Sequence, residues 1–348
     1  MLTQKNRIKK ILILRLDRIG DIALSTPAIK AVRKSFPEAH IAVMVKEEYR
    51  DLLMNDPAVN EVIGCKPFWD LKFIGGLRDR KFDLAVDLIM AWDYKSALLA
   101  YLSGAPYRAG YDIAGRGIFF NIKAGHGKEK KHLVENNMDV IRKLGIVPGG
   151  EKPQLHVAPQ DSAFVKDLLS SQGIDQGEIL VGIHLGGYYP SQRWPAERAA
   201  GLSDEIIKRY PAKVVLIGGP EEKDLVERAA GSMKAKAIVV KDISLAHLMA
   251  LIQRCQLLVC NNSGPLHIAC ALGVPTVSTM GPTLPWRWRP VGENHIVLRK
   301  DLPCSPCEKG FCKTHECMEL ITVEEMLDAV DRQMKILVKN KCAESTAR

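Results

Sequence analysis

Twice along its length the chain repeats one pattern: a short apolar run, a polar loop carrying glycine, then apolar positions at helical spacing. Residues 8–14 close in four consecutive aliphatic side chains, 15–21 (RLDRIGD) form the loop, and Leu24, Ala28, Ile29, Val32 and Phe36 then share one helical face until Pro37 stops it. An unbroken apolar run suits a strand covered on both faces, as in a parallel sheet. The same reading gives strands at 41–45, 61–63, 82–88 and 107–110, with helices at 49–55, 71–80, 95–103 and 131–144. After a turn-rich stretch at 148–159 the pattern restarts. Strands are expected at 179–185, 213–217, 237–240, 257–260 and 276–280. Helices are expected at 163–172, 195–209, 221–230, 245–253, from 265, and at 323–338. Strands alternating with helices predict an α/β protein with open parallel sheets. A length of 348 residues suits two such domains. We place them at 1–160 and 161–322, followed by a final helix at 323–340 and a tail at 341–348.

The net charge of +9 is lopsided, because residues 1–155 carry +8 of it. That half therefore suits an anionic partner such as a lipid head group or a membrane surface. Nucleic acid is discounted, since no aromatic–basic platform or nucleic-acid motif is present. No run approaches the ~20 apolar residues of a spanning helix. The apolar run at 11–14 is too short for a signal-peptide core of roughly 7–15 residues, which makes the expected location cytoplasmic. Of nine cysteines, Cys65, Cys255, Cys260, Cys270 and Cys342 are scattered, and the first four lie in or beside apolar stretches as expected of reduced core residues. Cys304, Cys307, Cys312 and Cys317 form a C-x2-C-x4-C-x4-C cluster with His315 inside it. Such a set suits a structural zinc, two disulfides or reduced thiols, and the spacing does not choose among them.

In open α/β sheets, ligands gather where the loops leave the C-terminal ends of the strands. Four such loops carry chemistry. The first holds Asp21 behind Gly20, with Asp17, Arg15 and Arg18 in the same loop. A carboxylate near a helix N-terminus is favoured as the anion and can accept a proton from an alcohol held within reach. Its plain alternative is a helix cap. The second loop holds Gln192 and Arg193, whose guanidinium could offset charge on a diphosphate. The third, Gly218-Gly219-Pro220, leads to Glu222, which could accept hydrogen bonds from a ribose. The fourth, NNSGPLHIACALGVP from Asn261, puts Asn262, Ser263, Gly264 and His267 around a helix start, a position that attracts anions. No Asp-x-Asp pair stands at a strand end, so no resident metal is expected to handle a phosphate leaving group.

Taken together, RLDRIGDIALSTPAIKAVRKSFP, SQRWPAER, GGPEE and NNSGPLHIACALGVPTV, in this order, resemble the lipopolysaccharide heptosyltransferases of glycosyltransferase family nine. The resemblance covers roughly residues 8–335. It implies a GT-B fold of two Rossmann-like domains facing a central cleft, with an acceptor domain first and a nucleotide-sugar domain second. The donor it implies is ADP-heptose, and the acceptor is the lipid A–core oligosaccharide at the cytoplasmic face of the inner membrane. The final helix would pack back on the first domain. Residue by residue, Asp21 would be the general base of an inverting, metal-independent transfer. Ser263, Gly264 and His267 would hold the diphosphate and sugar, and Glu222 the ribose. The cysteine cluster is also similar to that of many members. Two departures touch the donor: Gln192 stands where the family has lysine, and Asn262 where it often has aspartate. A sugar-nucleotide epimerase and a non-catalytic binder of nucleotide or anionic lipid are the rival readings.

Overall fold

A computed structural model describes residues 7–346 except Phe68, His126 and Lys128, with backbone alone from residue 338 onward. Two compact units divide at Met1–His156 and Val157–Arg348. The first unit holds strands β1 (Lys10–Leu14), β2 (His40–Lys46), β3 (Glu61–Cys65), β4 (Leu84–Asp87), β5 (Tyr107–Asp112) and β6 (Ile122–Gly125). They form one six-stranded parallel sheet in the order β3-β2-β1-β4-β5-β6. The central strand β1 is flanked on both sides, with Leu12 opposite Ala42 and Ala85. Its aliphatic residues Ile11–Leu14 are wholly buried. Alternate side chains point to opposite faces. Leu12, Leu14, Ala42, Met44 and Ala85 accordingly pack with Ile74 and Leu77 of helix Leu71–Asp79 and with Ala97, Leu99 and Ala100 of helix Lys95–Leu102.

The second unit holds β7 (Ile179–His184), β8 (Ala212–Gly218), β9 (Ile238–Lys241), β10 (Leu257–Asn261), β11 (Thr276–Thr279) and β12 (His295–Leu298). Its parallel order is β12-β11-β10-β7-β8-β9. Counted from its own first strand, this is the wiring of the first unit: strands one and four are central neighbours, and the winding reverses between them. Both units are therefore Rossmann-like, and together they make a GT-B-type pair of α/β domains. The second core joins Val181, Ile183, Leu216 and Val259 to helix Ala196–Arg209 and to Met326, Leu327, Val330 and Met334 of the last helix, Val323–Thr346. Buried Trp194 ties the two helices together by donating Nε1–H to the carbonyl of Ile321 at 2.9 Å.

Four details differ from the expected elements. The helix expected at 22–36 is two helices, Ile19–Ala23 and Thr26–Ser35. Pro27 lacks an N–H, and its ring would clash with the Ala23 carbonyl, so the first helix cannot run through it. The Ser25 and Thr26 hydroxyls take up the carbonyls left over, donating to Ile22 O at 2.7 Å and Ala23 O at 2.8 Å. No strand was expected within 115–127, where β6 lies, and β12 was not foreseen. Both are four-residue edge strands, too short to show a period. The last helix continues to Thr346, past the expected end at 338 or 340, and it packs against helix Ala196–Arg209, β11 and β12. The side chain of Cys342 lies outside the described residues.

Candidate active site

In a doubly wound sheet the loops part at the reversal of winding, and a crevice opens there at the strand C-termini. In the first unit that point lies between β1 and β4. β1 ends at Leu14 and hands the chain to Arg15, which is buried. The Arg15 guanidinium is turned inward. Its Nε lies 3.2 Å from Asp17 Oδ1, and Nη2 donates to Asp21 Oδ1 at 3.3 Å. Nη1 donates to the Leu88 carbonyl after β4 and to Asn137 Oδ1 at 3.4 Å. Asn137 in turn donates to the Leu24 carbonyl at 3.0 Å. Arg15 thus belongs to the expected loop but serves as its internal brace. Gly20 is buried and Arg18 exposed.

Asp21 is the third residue of helix Ile19–Ala23, where Oδ2 accepts the Arg18 N–H at 3.3 Å. That is a helix-cap bond, so the plain reading of Asp21 is satisfied as well. Its energetics are not plain. Burial, then the neighbouring Asp17 charge, push its carboxyl up to about 6, against the opposing pull of Arg15 and Arg18. A carboxylate in that range is ionised at neutral pH yet basic enough to take a proton. Close by, Asp87 at the end of β4 pairs with Arg116 at 2.5 Å, both fully buried. Asp87 also accepts from Ser96 Oγ at 2.8 Å and Ile89 N–H at 2.9 Å, while Arg116 donates to the carbonyls of Ile89 and Ala91. Arg116 and Asp87 thus both grip the loop after β4, which fixes that wall of the crevice. Neither residue stood out in the sequence, because an aspartate ending a strand and an arginine in a loop have no spacing signature.

In the second unit the reversal lies between β7 and β10. Asn261, the last residue of β10, is the clamp. Its Nδ2 donates to the carbonyls of Leu185 and Gly186, both at 2.9 Å, and its Oδ1 accepts from Trp194 N–H at 2.9 Å and Thr279 Oγ1 at 2.8 Å. This one amide fastens the loops after β7, β10 and β11 and holds the start of helix Ala196–Arg209. Glu222 Oε2 accepts the Gly219 N–H at 2.6 Å, and Oε1 lies across Gly186, where a Cβ would stand 2.2 Å away. Arg193 Nε donates to the Gly187 carbonyl at 3.1 Å. Gln192 lies 3.5 Å from Thr283 Oγ1. Asn262 donates to the Trp288 carbonyl at 3.1 Å, and the His267 ring sits 6.3 Å from that of Trp288.

Ser263 occupies the cap position of helix Gly264–Ala271, but its hydroxyl donates back to Asn261 O at 3.3 Å. Among the described residues no side chain caps that helix, which leaves its first turn suited to an anion. One member of the site was missed by sequence reasoning: His184, which ends β7 and is buried beside Gly186, Glu222 and Arg193. Burial keeps it neutral more strongly than Glu222 favours its charge. Its Nδ1 has no hydrogen-bond partner among the described residues. The available signal was a histidine closing an apolar run just before Gly186-Gly187.

None of the eight described cysteines is in a disulfide. Within the cluster, Cys304 is exposed, Cys307 and Cys312 half-buried, and Cys317 buried. Hydrogen bonds from His315 N–H and from Thr314 lower the Cys312 thiol, whereas burial raises Cys317. The His315 ring is engaged with the Ser191 carbonyl at 2.9 Å. Among the described residues, no three His, Cys, Asp or Glu side chains are arranged to hold a metal ion. Burial pushes Cys255 and Cys270 up to about 12 and Cys260 well above its ordinary value, as suits inert core thiols.

Comparison with known proteins agrees with this architecture. The chain is 24% identical over 345 residues to lipopolysaccharide heptosyltransferase 2 of Escherichia coli K12, covering 92% of this chain and 97% of that one. A family 9 glycosyl transferase structure from Veillonella parvula superposes with a TM-score of 0.82 at 26% identity, over 93% of this chain and 97% of that chain. The E. coli ADP-heptose LPS heptosyltransferase II structure does so with a TM-score of 0.81 at 24% identity, over 95% and 99%. The sequence model for glycosyltransferase family 9 (heptosyltransferase) matches residues 71–318. The chain is a glycosyltransferase and belongs to family 9, the heptosyltransferases.

Proposed function

We propose that the chain transfers heptose from ADP-heptose to the inner core of lipopolysaccharide, or to a related glycolipid, by an inverting and metal-independent mechanism. The observation that carries the reading is the buried Asp21 carboxyl, raised to about 6 and held by Arg15 at the winding reversal of the first sheet. In the step we assign, an acceptor hydroxyl attacks the anomeric carbon from the face opposite the diphosphate. The new C–O bond forms as the bond to the diphosphate oxygen breaks, and the hydroxyl proton passes to Asp21. General-base assistance of this kind is worth typically about 10²–10⁴ in rate.

The second unit would hold the donor. Ser263, Gly264 and His267 line the helix start that takes the diphosphate, and Arg193 neutralises the charge of the departing ADP. Glu222, fixed across Gly186, accepts from the ribose. His184 offers a neutral ring nitrogen in the same crevice. Gln192 and Asn262 set the fit to the sugar. No step is assigned to a metal. The E. coli relative of known structure is named for ADP-heptose, which supports that donor. The positive excess of residues 1–155 suits a phosphorylated acceptor and a place at the inner surface of a bacterial inner membrane. Among the described residues no helix is long and apolar enough to cross a membrane.

Incubation with ADP-heptose, with and without a heptose-deficient lipid A–core acceptor, tests the reading. Mass increase of the acceptor by one heptose, only when both are present, is expected. Donor interconversion without acceptor would indicate an epimerase, and binding without either product would indicate a non-catalytic module.

A further inference from the structure

A soluble domain seldom leaves several large apolar side chains exposed in one place. The first unit does so at one edge of its sheet. Trp69 is 69% exposed, Leu71 83%, Trp92 79% and Ile118 78%. Exposed Tyr94 adjoins them. All stand in the segments that leave the C-terminal ends of β3, β4 and β5, the same edge at which Asp21 lies. Trp69 and Leu71 open helix Leu71–Asp79, while Trp92 and Tyr94 open helix Lys95–Leu102. These two helices share the core of one sheet face, and the second also packs on the turn Arg116–Phe119 that carries Ile118.

One hydrogen bond and one charge effect link the segments further. The Tyr94 hydroxyl donates to the Ala114 carbonyl at 2.8 Å. Burial raises the Cys65 thiol at the end of β3, and the Lys95 charge partly offsets it. The charges of the patch are arranged with the same bias. Lys66, Lys72 and Lys95 are exposed. The carboxylates interleaved with them, Asp70 and Asp93, accept from the Phe73 and Lys95 backbone N–H groups, each at 2.9 Å. The three exposed ammonium groups outnumber the two carboxylates, which keep their charge while accepting at the helix starts.

We propose that this edge of the first unit is a docking face for an anionic lipid bilayer. Trp69, Trp92 and Tyr94 enter the head-group region, and Lys66, Lys72 and Lys95 contact lipid phosphates. Tryptophan and tyrosine favour that depth because each has an apolar body and a polar tip, and lysines beside them gain from the negative surface potential. The inference deepens the glycolipid-acceptor reading by naming the surface through which the enzyme would meet its acceptor's membrane. Vesicle binding needs neither donor nor turnover, so the two can fail separately.

The test is co-sedimentation of the full chain with vesicles of phosphatidylethanolamine and phosphatidylglycerol, and with vesicles of phosphatidylcholine, at low salt. The full chain is expected to pellet with the anionic vesicles. W69S/W92S is expected to lower the partition coefficient by about tenfold or more with an unchanged thermal midpoint. K66Q/K72Q/K95Q is expected to bring binding to anionic vesicles down towards the phosphatidylcholine level. Absence of binding by the unaltered chain, or full binding by W69S/W92S, overturns the proposal. So does a dimer in sedimentation velocity that W69S/W92S converts to monomer without any vesicle binding, since the face would then belong to a second copy.

Discussion

The proposed role sets Asp21 two opposing demands. To act as a base it must be ionised at working pH, and as a buried group it resists ionising. The direction of the stability effect follows from its folded value, about 6, lying above its ordinary 3.8. Below about pH 4 the carboxyl is protonated whether the chain is folded or not, and it costs nothing. Between 4 and 6 the folded state holds the proton more tightly, so stability falls as pH rises, and above 6 the full cost stands. A rise of that size corresponds to at most roughly 3 kcal/mol. Asp21→Asn should therefore raise the thermal midpoint at pH 8 and change it little at pH 4, as calorimetry would read. Asp17 is the charge that raises Asp21, so Asp17→Asn should move the ascending limb of the kcat/KM–pH profile from near 6 to lower pH. An unmoved limb would mean that another group controls it. Asp21 was legible as a candidate because a glycine–aspartate turn after a strand has a recognisable form. That Arg15 braces it from inside, and that His184 lies beside Glu222 and Arg193, depended on contacts between segments far apart in the chain.

The elements that matter are loops, and each is fixed by a buried polar device. After β4 the device is the Asp87–Arg116 pair. Removing one partner of such a pair strands the other charge, which costs about 3–5 kcal/mol. Arg116→Met should lower the denaturation midpoint accordingly and loosen the Ile89 and Ala91 carbonyls that Arg116 holds, visible as faster amide exchange nearby. After β7 the device is Asn261, which holds the Leu185 and Gly186 carbonyls, and half-buried Glu222 lies over Gly186. A Cβ at 186 would meet both Glu222 Oε1, at 2.2 Å, and His184 Cε1, at 2.6 Å. Gly186→Ala should raise the KM for the nucleotide sugar several-fold while costing about 1–3 kcal/mol of stability. A variant with normal KM would remove Glu222 from the donor site. Most strands were legible, since buried parallel strands write themselves as apolar runs. β6 and β12 were not: both are four-residue edge strands, β6 with one buried residue and β12 with none. The helix break at Pro27 was written in the sequence, but apolar positions on both sides of it kept one helical spacing.

At the scale of the whole chain, one wiring is used twice, and each copy brings its chemistry to the place where winding reverses. The carboxylate lies in the first unit and the anion-seeking helix start in the second. That division was foreseeable from the restart of the pattern after 148–159, whereas strand order was not, because pairing is a property of the folded sheet. ADP should stabilise the full chain, by about 2.7 kcal/mol at a hundredfold excess over its Kd, and Gly186→Ala should lose most of that gain in a thermal-shift series. The most direct measurement is single-turnover transfer from ADP-heptose by Asp21→Asn, with donor affinity determined on the same sample by calorimetry. Unchanged donor affinity and a transfer rate lower by about 10²–10⁴ are expected if Asp21 is the base. Transfer at the unaltered rate, with donor bound normally, would contradict that role.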